Sequence, residues 1–362
     1  MRPFMVPALL AALILGLTSC KSETSDKNTS TTTQEMNADN ASATSGETEK
    51  EKAPPTDDRP LRIVSGRKES LVGPLFEAFE KKTGIEVEVD YGKTPALAMQ
   101  LLSEGKDSPA DVFYAQESGY LGKMKEAGLL YALPTEILSL IRKELNLGQS
   151  HWLAISGRAR VLVYDPAKVL PADLPKSLKN LTDERWKAHA GWAPGNGSFQ
   201  AHLSALRHHW GEVETEKWVA AMKANGIRAA KNNSSLVKDV ERGAIQVALV
   251  NHYYTHKLGV AEKVKTWNFP EDDGSNVVMI SGAAILAHSK MKPKALALLN
   301  FLVSKDAQNI LANKNYEYPS RPNIAEHPNV APLRGLKVTP VKQETLADVG
   351  PTLSLLQKLG LN

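Results

Sequence analysis

From Leu61 onward the chain alternates short β-rich runs with amphipathic helical stretches, and this alternation limits the fold more than any other feature. "LRIVS" leads into a helix across "LVGPLFEAFEKKTG"; "IEVEVDYG", a helix across "PALAMQLLSEGKDSP" and then "ADVFYA" follow. Leu71, Leu75, Phe76 and Phe79 fall on one helix face, and Gly84 closes that helix. The order β-α-β-α-β predicts parallel strands. A second cycle runs through "AHAGWAPGNGSFQAHLSALRHHWG", "EVETEKWVAAMKANGI", "SLVKDVERGAIQVALVN" and "YYTHKLGVAEK". About 300 ordered residues exceed the usual size of one core, so two α/β lobes are expected.

The segment before Leu61 reads differently. "MRPFMVPALLAALILGLTSC" has one early arginine, an apolar stretch from Val6 to Leu17 and small residues ending at Cys20. That is a secretory leader over residues 1–20, too short for a committed membrane span. Leu17-Thr18-Ser19-Cys20 resembles the bacterial lipobox, which makes Cys20 the expected lipidation site. Cys20 is the only cysteine, so no disulfide framework can form. Residues 21–58 are rich in Ser, Thr and acidic residues, with Met36 the one large apolar side chain, and are expected to be a disordered tether spanning roughly 35 Å. The expected location is the extracytoplasmic cell envelope, on a membrane reached through the lipid.

Charge narrows the partners. The chain carries +4 in all; the leader contributes +1 through Arg2 and the tether −5, which leaves +8 on residues 59–362. A mildly basic body suits an anionic ligand, but its basic residues are scattered among acidic ones, so nucleic acid is not an expected partner.

In open α/β sheets ligands collect at the carboxyl ends of strands. "VALV" ends there at Asn251-His252-Tyr253-Tyr254, and "AISGRARVLVYDP" carries Arg158 and Arg160 on one strand face. Gly195-Asn196-Gly197-Ser198 would offer free backbone N–H groups to an anion at a helix N-terminus. No lysine follows these glycines, so the turn is not a Walker loop.

Two adjacent phenols raise a chemical question. With an ordinary pKa near 10, both lose their protons at neutral pH only to a strongly cationic partner. Fe(III) is such an ion and prefers anionic oxygen donors. Both tyrosines can face one metal only if the strand has ended, and Asn251 is a turn and cap former, after which "YYTHKLG" can open a helix. His252 and His256 have the i, i+4 spacing of zinc ligands, but "HYYTH" lacks the glutamate of HExxH; His256 reads as solvent-facing, and His208 and His209 as an exposed helix face. Tyr91 and Tyr114 read as packing residues, and Trp152, Trp192 and Phe199 as core or hinge-side aromatics. No nucleophile–base pair or carboxylate dyad stands out, so the chain does not read as an enzyme. A basic cleft carrying an organic or inorganic anion without metal remains a second possibility.

"VSGRKESLVGPLFEAFEKKTGIEVEVDYG", "SPADVFYAQESG", "SGRARVLVYDP", "GWAPGNGSFQ", "NNSSLVKDVERGAIQVALVNHYY" and "NYEYP", in this order, resemble the ferric-iron-binding substrate-binding proteins of bacterial iron(III) ABC importers. The resemblance runs from Arg62 nearly to the C-terminus. It implies a two-lobe periplasmic-binding-protein-like α/β fold of the class II type, each lobe a central β-sheet flanked by helices, with a β-strand hinge. The lobes would be 59–156 plus about 281–331, and 157–280 plus about 332–362. It also implies Fe(III) as cargo on Tyr253 and Tyr254, with a synergistic anion, carbonate or phosphate, held by Arg158, Arg160, Asn196, Gly197, Ser198, Asn233 and Asn251. The implied protein is a monomer that delivers iron to permease and ATPase subunits. The first lobe departs from the family: Val64 stands where some members have tyrosine, Arg67 or Lys68 where others have a histidine ligand, and Gln116, beside Glu117, where those have a glutamate. Arg67, Gln116 and Glu117 are accordingly the possible first-lobe contacts.

Overall fold

The computed structural model describes residues 58–361. The predicted leader, Cys20 and all of the predicted tether except Asp58 lie outside the described residues. No helix among the described residues is long and apolar enough to cross a membrane.

Strands β1 (Leu61–Ser65), β2 (Val87–Tyr91) and β3 (Val112–Ala115) are joined by helices Glu69–Thr83 and Thr94–Glu104. β1 pairs in parallel with both β2 and β3, as the alternation predicts. Helix Glu69–Thr83 buries Leu71, Val72, Leu75, Phe76 and Phe79, a stripe at helical spacing worth about 2 kcal/mol per side chain. It stops at Gly84, where φ is 71° and the backbone N–H turns back to the Glu80 carbonyl.

The rest of the sheet structure is organised by β4 (Leu153–Tyr164), all twelve residues of which are buried. Along Leu153–Ala159 it runs antiparallel to β9 (Val278–Ile285), which in turn pairs antiparallel with β3. Along Arg160–Tyr164 it runs antiparallel to β7 (Val247–Asn251) instead. β7 lies parallel to β5 (Ala190–Trp192), and β5 to β6 (Arg228–Ala229). Short strand β8 (Lys265–Trp267) pairs with Leu162–Tyr164 at the end of β4, and β10 (Tyr318–Pro319) with Ser156 and Gly157. The full order is β2-β1-β3-β9-β4-β7-β5-β6. Each lobe is a central sheet with flanking helices, and the expected lobe divisions at 156/157 and 280/281 fall inside β4 and β9.

One core joins the faces of β1, β3 and β9 to helices Glu69–Thr83 and Lys292–Leu302. Another surrounds Trp186, Trp192, Phe199 and Trp218, with the Trp192 and Phe199 rings edge to face at 5.5 Å. Trp152 is buried in the first, so all three aromatics expected inside are inside. Helix Gln343–Ala347 packs against both helix Gly119–Glu126 and helix Gly197–Trp210, so the C-terminal segment expected with the second lobe touches helices of both. It sits close because position 119 is glycine: a Cβ there would lie 2.2 Å from the Gln343 carbonyl oxygen. The Gln343 amide oxygen accepts from the Ser118 hydroxyl at 2.9 Å and from the Ile280 N–H at 3.3 Å.

Candidate metal and anion site

β7 ends at Asn251 and a single helical turn begins at Tyr254, so the chain leaves the two-residue alternation of a strand where the phenols occur. The Tyr253 and Tyr254 rings stack with centroids 4.7 Å apart. Asn251 is the cross-strand partner of Arg160, and its side chain ties the site together. Its Oδ1 accepts from the Arg160 guanidinium at 3.2 Å, while its Nδ2 lies 3.3 Å from both the Ser198 and the Tyr253 hydroxyls. Burial, and then the adjacent Tyr253 phenol, push the Tyr254 pKa above the ordinary phenol range, against the pull of Arg160 and Arg158.

Three guanidinium groups converge here, all buried. Arg160 donates to Asn251 and to the Leu249 carbonyl and has no carboxylate within ion-pair distance among the described residues; burial lowers its pKa to about 10. Arg158 donates to the Gln116 carbonyl at 2.6 Å and lies 3.7 Å from the Glu117 carboxylate. Arg67 follows Gly66, where a Cβ would fall 1.9 Å from the Thr94 hydroxyl; that close approach seats the loop after β1. The Arg67 guanidinium pairs with Glu317 and lies close to Tyr114 and Tyr253. The Nε of all three arginines lacks a partner, as do both amide atoms of Asn233, fully buried at the start of helix Asn233–Glu241. The guanidinium donors left over in this way are an incomplete shell that an anion can fill.

Arg67, Gln116, Glu117, Arg158, Arg160, Asn251, Ser198 and the two tyrosines are thus linked by direct contacts or charge. The Gly-Asn-Gly turn differs from expectation. The Asn196 side-chain oxygen caps helix Gly197–Trp210 by accepting from the Ser198 and Phe199 N–H groups, and the Asn196 N–H donates to the Ala193 carbonyl, so the Asn196 and Ser198 amides expected to be free are already satisfied. His256 also differs: it is half-buried, stacked on Tyr316 at 4.8 Å, because residues 316–329 fold over it. His208 and His209 are exposed as expected. Tyr114 is buried against Phe76, and Tyr91, at the end of β2, lies outside the core with 38% of its surface exposed.

Glu317 is the site residue that sequence reading missed. It is 2% exposed, receives Arg67 on one oxygen and the Ser156 hydroxyl at 2.5 Å on the other, and Arg67 and Arg158 hold its carboxyl below the ordinary range despite burial. The three arginines, set against Glu117 alone, were the available signal that another counter-charge was needed.

His252 speaks against zinc. Its Nδ1 accepts from the Ala159 N–H at 3.1 Å and its Nε2 donates to the Tyr316 carbonyl at 2.7 Å, so both ring nitrogens are engaged. Burial lowers its pKa to about 4. Among the described residues no group of three or more His, Cys, Asp or Glu side chains could hold a metal. Oxygen donors of the phenol type are what this site offers.

Residues 107–337 match the family described as bacterial extracellular solute-binding protein. The major ferric iron-binding protein of Neisseria meningitidis serogroup B is 34% identical over 83% of this chain and 93% of its own length. The Fe(3+)-binding periplasmic protein of Serratia marcescens is 34% identical over 77% and 84%. Among solved structures, iron-bound HitA from Pseudomonas aeruginosa superposes with a TM-score of 0.77 at 33% identity, covering 83% of this chain and 99% of that one. A Trichodesmium protein in complex with iron and citrate ligands gives 0.73 at 27% identity, over 84% and 100%. The chain belongs to the bacterial extracellular solute-binding proteins, and groups there with those that bind ferric iron.

Proposed function

We propose that this protein captures Fe(III) between its lobes, using the phenolates of Tyr253 and Tyr254 with a synergistic anion, and delivers it to an ABC importer in the cell envelope. The observation that carries the reading is the stacked tyrosine pair beside three buried guanidiniums with unfilled donors. Phenols keep their protons at neutral pH, and a hard trivalent cation displaces them. The anion neutralises the arginines and completes the metal shell. Arg158, Arg160, Asn233, Asn251 and Ser198 are its proposed partners, with Asn196 and Gly197 shaping the turn beside it. Carbonate and phosphate both suit that donor set.

In this reading Arg67, Gln116 and Glu117 bring charge and hydrogen bonding from the first lobe in place of a histidine or glutamate ligand. Acylation of Cys20 would hold the body at the membrane, where a solute-binding protein meets its permease and ATPase. The test is colour. Ferric phenolate absorbs visible light by ligand-to-metal charge transfer, so protein given Fe(III) and carbonate or phosphate turns orange to purple. Protein that stays colourless but binds the anion alone would be a carrier of anions, the reading favoured by the arginines without the phenols.

A further inference from the structure

Among the described residues Glu317 and Glu117 are the carboxylates paired with the three buried arginines of the site, Glu317 with Arg67 and Glu117 with Arg158, and Arg160 has none. A ferric ion with two phenolates adds one positive charge, so the loaded site, which this inference takes from the ferric reading above, carries a surplus of two. We propose that Glu317 is a specificity-determining residue that sets this surplus, so that a dianion completes the site in preference to a trianion.

The placement of Glu317 suits a fixed counter-charge. Its carboxylate is enclosed, with Arg67 from the loop after β1 on one side and Ser156 of β4 on the other. The Ser156 hydroxyl is itself 2.7 Å from that of Ser281 on β9, so three separate elements keep the carboxylate from turning toward water. Glu117 is the less enclosed of the two, its side chain 11% exposed and 3.7 Å from Arg158. The other charged groups near Glu317 are common to every variant compared: His252 is held neutral by its two hydrogen bonds, Lys68 is exposed, and Lys257, partly exposed, lies near Glu317 and Arg67. A trianion would leave the enclosed site negative, and a monoanion would leave it positive.

Removing Glu317 raises the surplus by one, and removing Arg67 lowers it by one. The experiment compares wild type, Glu317→Gln, Arg67→Gln and the double variant, each checked for folding by far-UV circular dichroism and thermal unfolding. Fe(III) affinity is read from the charge-transfer band with oxalate, a dianion, and with citrate, a trianion, as the sole anion. Glu317→Gln should shift the ratio of the two affinities toward citrate by roughly tenfold or more, and Arg67→Gln should shift it toward oxalate. The double variant should return to within about threefold of wild type. Folded single variants that keep the wild-type ratio overturn the proposal. If Glu317→Gln does not fold, Glu317→Asp, which keeps the charge, must hold the wild-type ratio while Arg67→Gln moves it. A wild type without a charge-transfer band would instead sink the ferric reading. Calorimetry of oxalate and citrate binding to the iron-free variants then decides the role of Glu317 by the same ratio.

Discussion

Tyr253 and Tyr254 are consecutive in the chain, yet their rings stand 25° from parallel with centroids 4.7 Å apart. In a continuing strand they would point to opposite faces; the turn after Asn251 puts them on one side.

Replacing either tyrosine with phenylalanine removes one donor oxygen and keeps the ring. The charge-transfer band should weaken or shift in each single variant and vanish in the double variant. Tyr253→Phe also loses the contact with Asn251, so thermal unfolding should report a cost of about 1 kcal/mol. A double variant that keeps the band would return both residues to a packing role.

Iron binding should fall with pH. Each phenolate that joins the metal releases a proton, and Tyr254 begins from a raised pKa, so protons compete on the acid side. Well below the phenol pKa, a plot of log affinity against pH should approach a slope of two, about a hundredfold per unit. Equilibrium titration at several pH values, at fixed concentration of the fully ionised anion, measures it.

Arg158→Ala should weaken iron binding and make it more dependent on added carbonate or phosphate. The Gln116 carbonyl and Glu117 would also lose their cationic partner, at a stability cost of about 2 kcal/mol. Iron titrations across a range of anion concentrations separate the two effects, because an affinity unchanged throughout would take Arg158 out of the site.

His202 should make the fold sensitive to mild acid. It is buried, and burial, aided by the charge of Arg160, lowers its pKa to about 3, whereas the unfolded chain protonates near 6.5. Below pH 6.5 the unfolded state therefore binds more protons, and stability is lost as pH falls from about 6.5 toward 3. At pH 5 the loss is about 2 kcal/mol, and His202→Gln should flatten denaturant midpoints over this range.

Gly119→Val should destabilise the protein by about 2 kcal/mol or more, read by thermal unfolding. Its Cβ would meet the Gln343 carbonyl oxygen at 2.2 Å and the Ala347 Cβ at 2.4 Å, and neither can swing aside.

The elements that depend on local pattern were readable from the sequence. Helix Glu69–Thr83, the parallel β1–β3 unit and the break after Asn251 follow from spacing, a terminal glycine and a turn former. The phenols and arginines were readable as chemistry. Glu317 was not, since "NYEYP" gives no sign that its carboxylate meets an arginine 250 positions earlier. The partners of His252, Ala159 and Tyr316, are likewise supplied by tertiary folding. At Asn196 two physical tendencies competed for the same amides, and the side-chain cap took them from the expected anion cradle.

Arg158 and Arg160 lie on either side of the point where β4 passes from its pairing with β9 to its pairing with β7. If the lobes rotate about this crossing, the backbone between these two residues twists, and the angle of the cleft and the spacing of two buried cations become one mechanical coordinate. In the proposed reading, an anion gripped by both would act as a splint on that strand. Its residence time would then report the bending stiffness of β4 as much as the strength of its own hydrogen bonds.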